Sequence, residues 1–232
     1  MYFKNKLMLN VSRQSWKMSS VHGTEFDVAY QKKYKPVWDG VWERDNYKCF
    51  YCNFYSKKYQ EIHHINNNHD DNSEKNLTTI CPLCHKNFHL DSVSTSNGGK
   101  IIWLPDMSQQ ELNYILRAIF IANDYSKEIE EKGGEDQDGF YKIAKLLESF
   151  FLERADFVEK EIIAGASDPV VFANAILNMD NTTLSHADEF LSPFRLLHFS
   201  TRYSVQSVYW REQRFKDLPV KSWENLILKF NK

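Results

Sequence analysis

The chain has 232 residues, of which 42% are hydrophobic, 26% charged and 15% aromatic, and its formal charge is −2 at pH 7. That length suffices for one well-buried domain or two small ones, with the composition of an ordinary soluble globular protein. The N-terminus MYFKNKLMLN lacks the sustained apolar run of a signal peptide and no later run reaches membrane length, so the expected location is cytoplasmic, without membrane insertion.

Residues 1–47 are expected to form short strands followed by a helix, with Trp38, Val41 and Trp42 of KPVWDGVWERD recurring as an apolar stripe. Residues 48–104 hold a run of metal-ligand side chains and end in SVSTSNGG, followed by the short strand KIIWLP, stopped by Pro105. Residues 105–232 read as mainly helical. Ser108 and Glu111 form a capping-box pattern before Leu112, Ile115, Leu116 and Ile119. KGGEDQDG (132–139) is an acidic break. A second helix follows to about residue 163, with Phe140, Ile143, Leu147, Phe150 and Phe151 as its core stripe. Asp168 and Pro169 of ASDPVVFANAIL suit an N-cap and a first turn, and SHAD (185–188) suggests a further start.

Charge is uneven along these three parts. Residues 1–104 carry +4, residues 105–190 carry −11 and residues 191–232 carry +5. An acidic middle repels nucleic acid, leaving phosphate contacts to the ends, and equally suits a protein-docking surface or a solvated helical face. The stretch RYSVQSVYWREQRFKDLPV mixes aromatics with arginines, as interface anchors do, and reads equally as a solvated helix.

All four cysteines fall in two Cys-x-x-Cys pairs, Cys49/Cys52 and Cys81/Cys84. In a reducing compartment two such pairs point to metal, since a thioredoxin-like motif needs one pair and leaves the other unexplained. Four thiolates complete a tetrahedral site with no open position, which marks a structural Zn2+. If CPLCHKNFHL opens a helix, His85 and His89 share a face and reach one metal. QEIHHI reads as a strand, so His63 and His64 point to opposite sides, one free to bind metal while the other faces a substrate. His69, in NNNHDD, reads as a loop residue.

Strand, loop, strand, helix, with His63-His64, then Asn76, then His85 and His89, resembles the ββα-metal unit of the HNH endonucleases. The cysteine pairs match the zinc-bearing branch of that group. The resemblance implies an α+β fold, a zinc-bearing HNH ββα-metal domain with a short N-terminal β/α extension and a mainly helical C-terminal region. It implies that His63, His85 and His89 hold a catalytic divalent ion (Mg2+, Mn2+, Ni2+ or Zn2+). His64 would be the general base, and Asn76 would orient its ring. An imidazole titrating near neutral pH suits that base, and a bound ion supplies charge at the leaving oxygen.

A longer resemblance runs from about residue 7 to about residue 210. RDNYKCFYCNF, NGGKIIWLPDMSQQELN and GASDPVVFANAILNMD occur in that order in the IcmJ/DotN family of type IVB secretion and related conjugation systems. It implies a scaffold subunit, peripheral to an inner-membrane complex, that binds the coupling ATPase and its adaptor proteins. The zinc-binding cysteines are typical of that family and the active-site histidines are not, yet this chain carries all of them. Inert scaffold, working nuclease acting on DNA, a second ion held for stability, and a zinc-dependent nucleic-acid-binding module all remain open at this point.

Overall fold

The computed structural model describes residues 6–10, 25–94, 97–133 and 139–217. Helix α1 (Glu25–Arg44) ends where Arg44 and Asp45 turn back onto the metal-ligand segment. Asp45 Oδ2 accepts the Thr79 backbone N–H at 2.8 Å and the Thr78 hydroxyl at 3.3 Å. Arg44 donates to the Glu74 and Leu77 carbonyls at 2.7 and 2.8 Å and to Asp45 itself. Burial raises the Asp45 carboxyl, and these donors outweigh burial and hold it below its ordinary value. The dipeptide thus clamps strand β2 (Leu77–Ile80), which lies antiparallel to β1 (Glu61–His64) with Glu61 opposite Ile80 and His64 opposite Leu77. Short helix α2 (Pro82–His85) and a 3-10 turn (Lys86–Phe88) follow, so the expected strand, loop, strand, helix order is present.

After α3 (Asp91–Ser94), strand β3 (Gly99–Trp103) forms where the sequence places it. Its partner is β4 (Phe194–His198), antiparallel, with Gly99 opposite His198 and Trp103 opposite Phe194. The expectation of a mainly helical 105–232 omitted this strand; FRLLH is too short an apolar run to tell strand from helix by periodicity. The glycine at 99 is required by the pairing, since a Cβ there would lie 2.4 Å from the Leu197 carbonyl oxygen.

Helix α4 (Gln109–Glu131) starts on the Ser108–Glu111 capping box, and α5 (Gly139–Phe157) continues as a π-helical turn, Val158–Ile162. Helix α6 (Pro169–Leu177) starts on Asp168, whose carboxylate accepts Val170 N–H at 2.7 Å. The turn before it packs on β3: Gly165 has φ 85°, Glu159 accepts the Gly165 and Ser167 N–H groups, and Ile101 N–H reaches Ser167 O at 2.8 Å. The segments around NGGKIIWLP and GASDP, far apart in the chain, therefore meet. Helices α7 (Asn181–Ser185) and α8 (Ala187–Leu191) lead to β4, and α9 (Ser204–Tyr209) follows it.

Two apolar cores result. One gathers the cysteines with Phe54, Ile80, Leu112, Leu116, Phe120, Phe151, Leu197 and Trp210; the other gathers Leu9, Leu90, Ile101, Phe172, Ile176 and Leu196. Three expectations change. Residues 6–10 are irregular rather than a strand, though Leu7 and Leu9 are buried and Asn10 N–H donates to Asn87 O at 2.8 Å; the other N-terminal strands lie outside the described residues. On α5, Phe151 is buried but Ile143 and Phe150 are exposed, because the helix carries two apolar faces and only one meets the core. The side chain of Phe140 and most of KGGEDQDG fall outside what is described. The aromatic, arginine-rich tail is neither a free anchor nor a solvated helix up to Phe215. Trp210 and Tyr203 are buried, Tyr203 stacks on Phe120 at 5.3 Å, and Arg211 forms ion pairs with Asp124 and Glu128. Among the described residues no helix is long and apolar enough to cross a membrane.

Candidate metal centre

Cys49 and Cys52 sit on a tight knuckle after α1. The Cys49 N–H reaches Phe54 O, Asn53 N–H reaches Cys49 O, and Asn53 takes the left-handed conformation (φ 58°) that short polar side chains tolerate. Cys81 precedes α2 in extended conformation, Pro82 fixes the first turn, and Cys84 follows one turn later. All four thiols are buried, and their sulfurs lie within 4.8 Å of one another, the one such ligand group among the described residues. The Cys52–Cys81 sulfur separation is 3.7 Å, far beyond a disulfide bond and close to the edge, about 3.8 Å, of a tetrahedron with metal–sulfur bonds of about 2.3 Å. The donor set fits a structural Zn2+. Burial pushes the Cys49 and Cys84 thiols up, while hydrogen bonds from Cys49, Cys81 and Cys84 pull Cys52 down.

Helix α4 supplies donors to these sulfurs. Arg117 Nη2 lies 2.9 Å from Cys81 Sγ and 3.3 Å from Cys52 Sγ, and Asn113 Nδ2 donates to Cys84 Sγ at 3.4 Å. Burial lowers the Arg117 guanidinium, but the negative charge of the cysteines outweighs it and holds the group above its ordinary value.

The histidines form a second, more open cluster. His89 follows the 3-10 turn rather than continuing α2, yet its Nε2 comes within 3.1 Å of His85 Nε2. Two imidazoles on one tetrahedral ion have nitrogens about 3.3 Å apart, so this pair is spaced for a shared ligand. His85 Nδ1–H donates to Glu61 Oε2 at 2.6 Å, which turns the lone pair of Nε2 toward His89, as carboxylates do for metal-ligating imidazoles. His63 lies 5.5 Å from His85 by ring centroids and is tilted against Phe88 at 4.3 Å; burial pushes it down to about 3. His64 diverges from it, as strand alternation requires, with its ring 4.8 Å from His69. His69 in turn lies 5.9 Å from His89, so the loop histidine bridges the two groups.

Asn76 acts on the loop. Its Oδ1 accepts Asn66 N–H at 3.0 Å and its Nδ2 donates to Asp71 O at 2.8 Å. The side chain at the His64 ring is Asn72, whose Oδ1 accepts from Nε2 at 3.3 Å, leaving Nδ1 as the basic atom. Burial chiefly lowers the His64 ring, with the Asn72 hydrogen bond acting against it.

Sequence reasoning brought the cysteines, His85 and His89 together as the structure does, and separated His63 from His64. It passed over Glu61, Asn72, Asn113 and Arg117, and read His69 as a loop residue only. Glu61 was legible, being two residues before His63 on the same strand face. Gln109, Asn113 and Arg117 recur every fourth residue beside Leu112 and Leu116, a polar line on an apolar face that signals buried partners.

No protein-family model matches the chain. The type 4 apparatus protein DotN of Legionella pneumophila subsp. pneumophila is 25% identical to it over 217 residues, covering 92% of each protein. That likeness supports the resemblance to the IcmJ/DotN family drawn from the sequence.

Proposed function

We propose, from this likeness to a type 4 apparatus protein along nearly the whole chain, that the protein is a zinc-stabilised subunit of a type IV secretion or conjugative coupling complex. It binds the coupling ATPase and its adaptor proteins from the cytoplasmic side, peripheral to the inner membrane. Carrying the reading is the extent of the match, 92% of both chains, which spans the cysteine segment and the helical half alike. An exposed apolar surface on α5 among the described residues also supports it: Ile143 (43% exposed), Leu146 (70%), Phe150 (42%) and Phe157 (40%) lie along one helical face. Co-purification with the coupling ATPase at micromolar concentration is the test. Leu146→Asp and Phe150→Asp are expected to weaken co-migration without lowering Tm, and failure of the wild-type proteins to co-migrate refutes the reading.

In this reading β1, β2 and α2 form an HNH-type ββα unit, with His63, His85 and His89 as ligands of a second divalent ion. A second reading, metal-dependent DNA cleavage, is favoured by one observation, the Glu61-oriented His85 facing His89. Such an ion supplies positive charge at the leaving oxygen of a phosphodiester. His64 would take the proton from water at Nδ1, and Asn76 would hold the loop that carries Asn72 to its ring. Nicking of supercoiled plasmid with Mg2+, Mn2+ or Ni2+ is then expected, abolished in His64→Ala while zinc stays bound. Equal silence of both proteins across those metals rules the enzyme out.

A further inference from the structure

Arg117 is 1% exposed, and among the described residues no carboxylate lies within ion-pair distance of it. Among the described residues its Nε and Nη1 have no hydrogen-bond partner and Nη2 reaches the sulfurs of Cys81 and Cys52, while its guanidinium carbon lies 4.1 Å above the Phe54 ring. A guanidinium stays charged in any protein, so this cation requires a buried anion. Four neutral thiols are not one. A divalent metal on four thiolates carries a net charge of −2, and the arginine leaves it at −1.

The side chains on either side of this contact give the same direction. Gln109, Asn113 and Arg117 occupy successive turns on the buried face of α4. Gln109 exchanges two hydrogen bonds with the backbone of Leu196 in β4, at 2.7 and 2.9 Å. Its Nε2 also donates to Asn113 Oδ1 at 2.9 Å, which turns the Asn113 amide N–H toward Cys84 Sγ. A single polar line thus runs from the β3–β4 sheet along α4 to the sulfurs, and at its end both donors point at negative charge.

We infer that Arg117, with Asn113, is the buried counter-charge of a metal–tetrathiolate centre, so that the metal holds α4 and the helical half of the chain to the cysteine knuckle. The inference rests on zinc occupying the cysteines. Loss of the metal removes the fixed anionic charge that the guanidinium faces and the bonds that hold the four sulfurs together, and α4 is then expected to loosen and admit water. The centre is an electrostatic anchor for the whole fold rather than a local staple.

Metal analysis of the full-length protein comes first: one zinc per four cysteines, inaccessible to a thiol reagent, is the premise, and metal-free, fully reactive thiols refute both it and the inference. Zinc transfer to a chromogenic chelator is then compared for wild type, Arg117→Met, Arg117→Lys and Asn113→Ala. Arg117→Met is expected to release zinc at least about tenfold faster, with Arg117→Lys between it and wild type, because lysine keeps the positive charge and loses the planar group stacked on Phe54. With Co2+ as the probe, Arg117→Met should move the sulfur-to-metal charge-transfer band to lower energy, since removing a nearby positive charge raises the sulfur lone pairs. Hydrogen exchange supplies a readout independent of the substitution: stripping zinc from wild type should deprotect α4 amides around Asn113–Asn123. If Arg117→Met does not fold, the Asn113→Ala band shift and the wild-type exchange decide. An unmoved band with unchanged α4 protection on zinc removal overturns the inference.

Discussion

His198, at the end of β4, shows what burial does to a single titratable ring. It is fully enclosed, with Tyr203 Oη 2.9 Å from Nδ1, and burial, then the Arg117 charge, pushes it down to about 3. The sign follows from linkage: the unfolded chain binds a proton near pH 6.5 that the folded chain refuses, so this contribution is present above about 6.5 and is lost as pH falls toward about 3. His63 and His69, pushed to about 3 and about 4 mainly by burial, add to the same slope. Unfolding free energy measured by urea titration at pH 7 and pH 5 is expected to fall more in wild type than in His198→Gln. Equal losses in both would show that the ring is hydrated in the native state.

Strand β3 illustrates how one element is held by distant chain. Its inner edge pairs with β4, far along the sequence, and Ile101 N–H reaches the Ser167 carbonyl of the turn before α6. Gly99 allows the closest approach, and Gly99→Ala would drive a Cβ into the Leu197 carbonyl oxygen, which is backbone and cannot rotate away. A loss of about 2 kcal/mol is expected from the denaturant midpoint, in the range of backbone-displacing overpacking. A change below about half a kcal/mol would mean that β3 and β4 separate at that end without cost. At the same scale, Asp168 caps α6, and Asp168→Ala should cost about 1 kcal/mol in the same assay.

Across the molecule, opposite charges along the sequence become partners in space. The basic tail returns to the acidic α4: Arg211 lies 3.2 Å from Asp124 and pairs with Glu128, while Trp210 packs edge-on against Phe54 at 5.4 Å in the core that also holds the cysteines. The Asp124 contact is within ion-pair reach but off hydrogen-bonding geometry, so the buried tryptophan holds the tail more strongly than the arginine does. Trp210→Ala is expected to cost about 3–5 kcal/mol and Arg211→Ala much less, both read from urea midpoints. A small effect of the tryptophan would mean that the tail is not docked in solution.

The chain by itself determined the features whose cause is local. Cysteine spacing, strand alternation at His63-His64, the capping box at Ser108 and the Asp168-Pro169 start depend on side chains a few residues apart, and the structure has each of them. Tertiary structure alone decided that β4 pairs with β3, that Asn72 rather than Asn76 meets the His64 ring, that His69 joins the histidines, and that Arg117 meets the sulfurs. Those outcomes depend on how separate segments come together, and a short apolar run or a lone buried arginine says that it needs a partner without saying which. Burial of charge makes the choice, because a desolvated guanidinium is stable only where the fold has already gathered an anion to receive it.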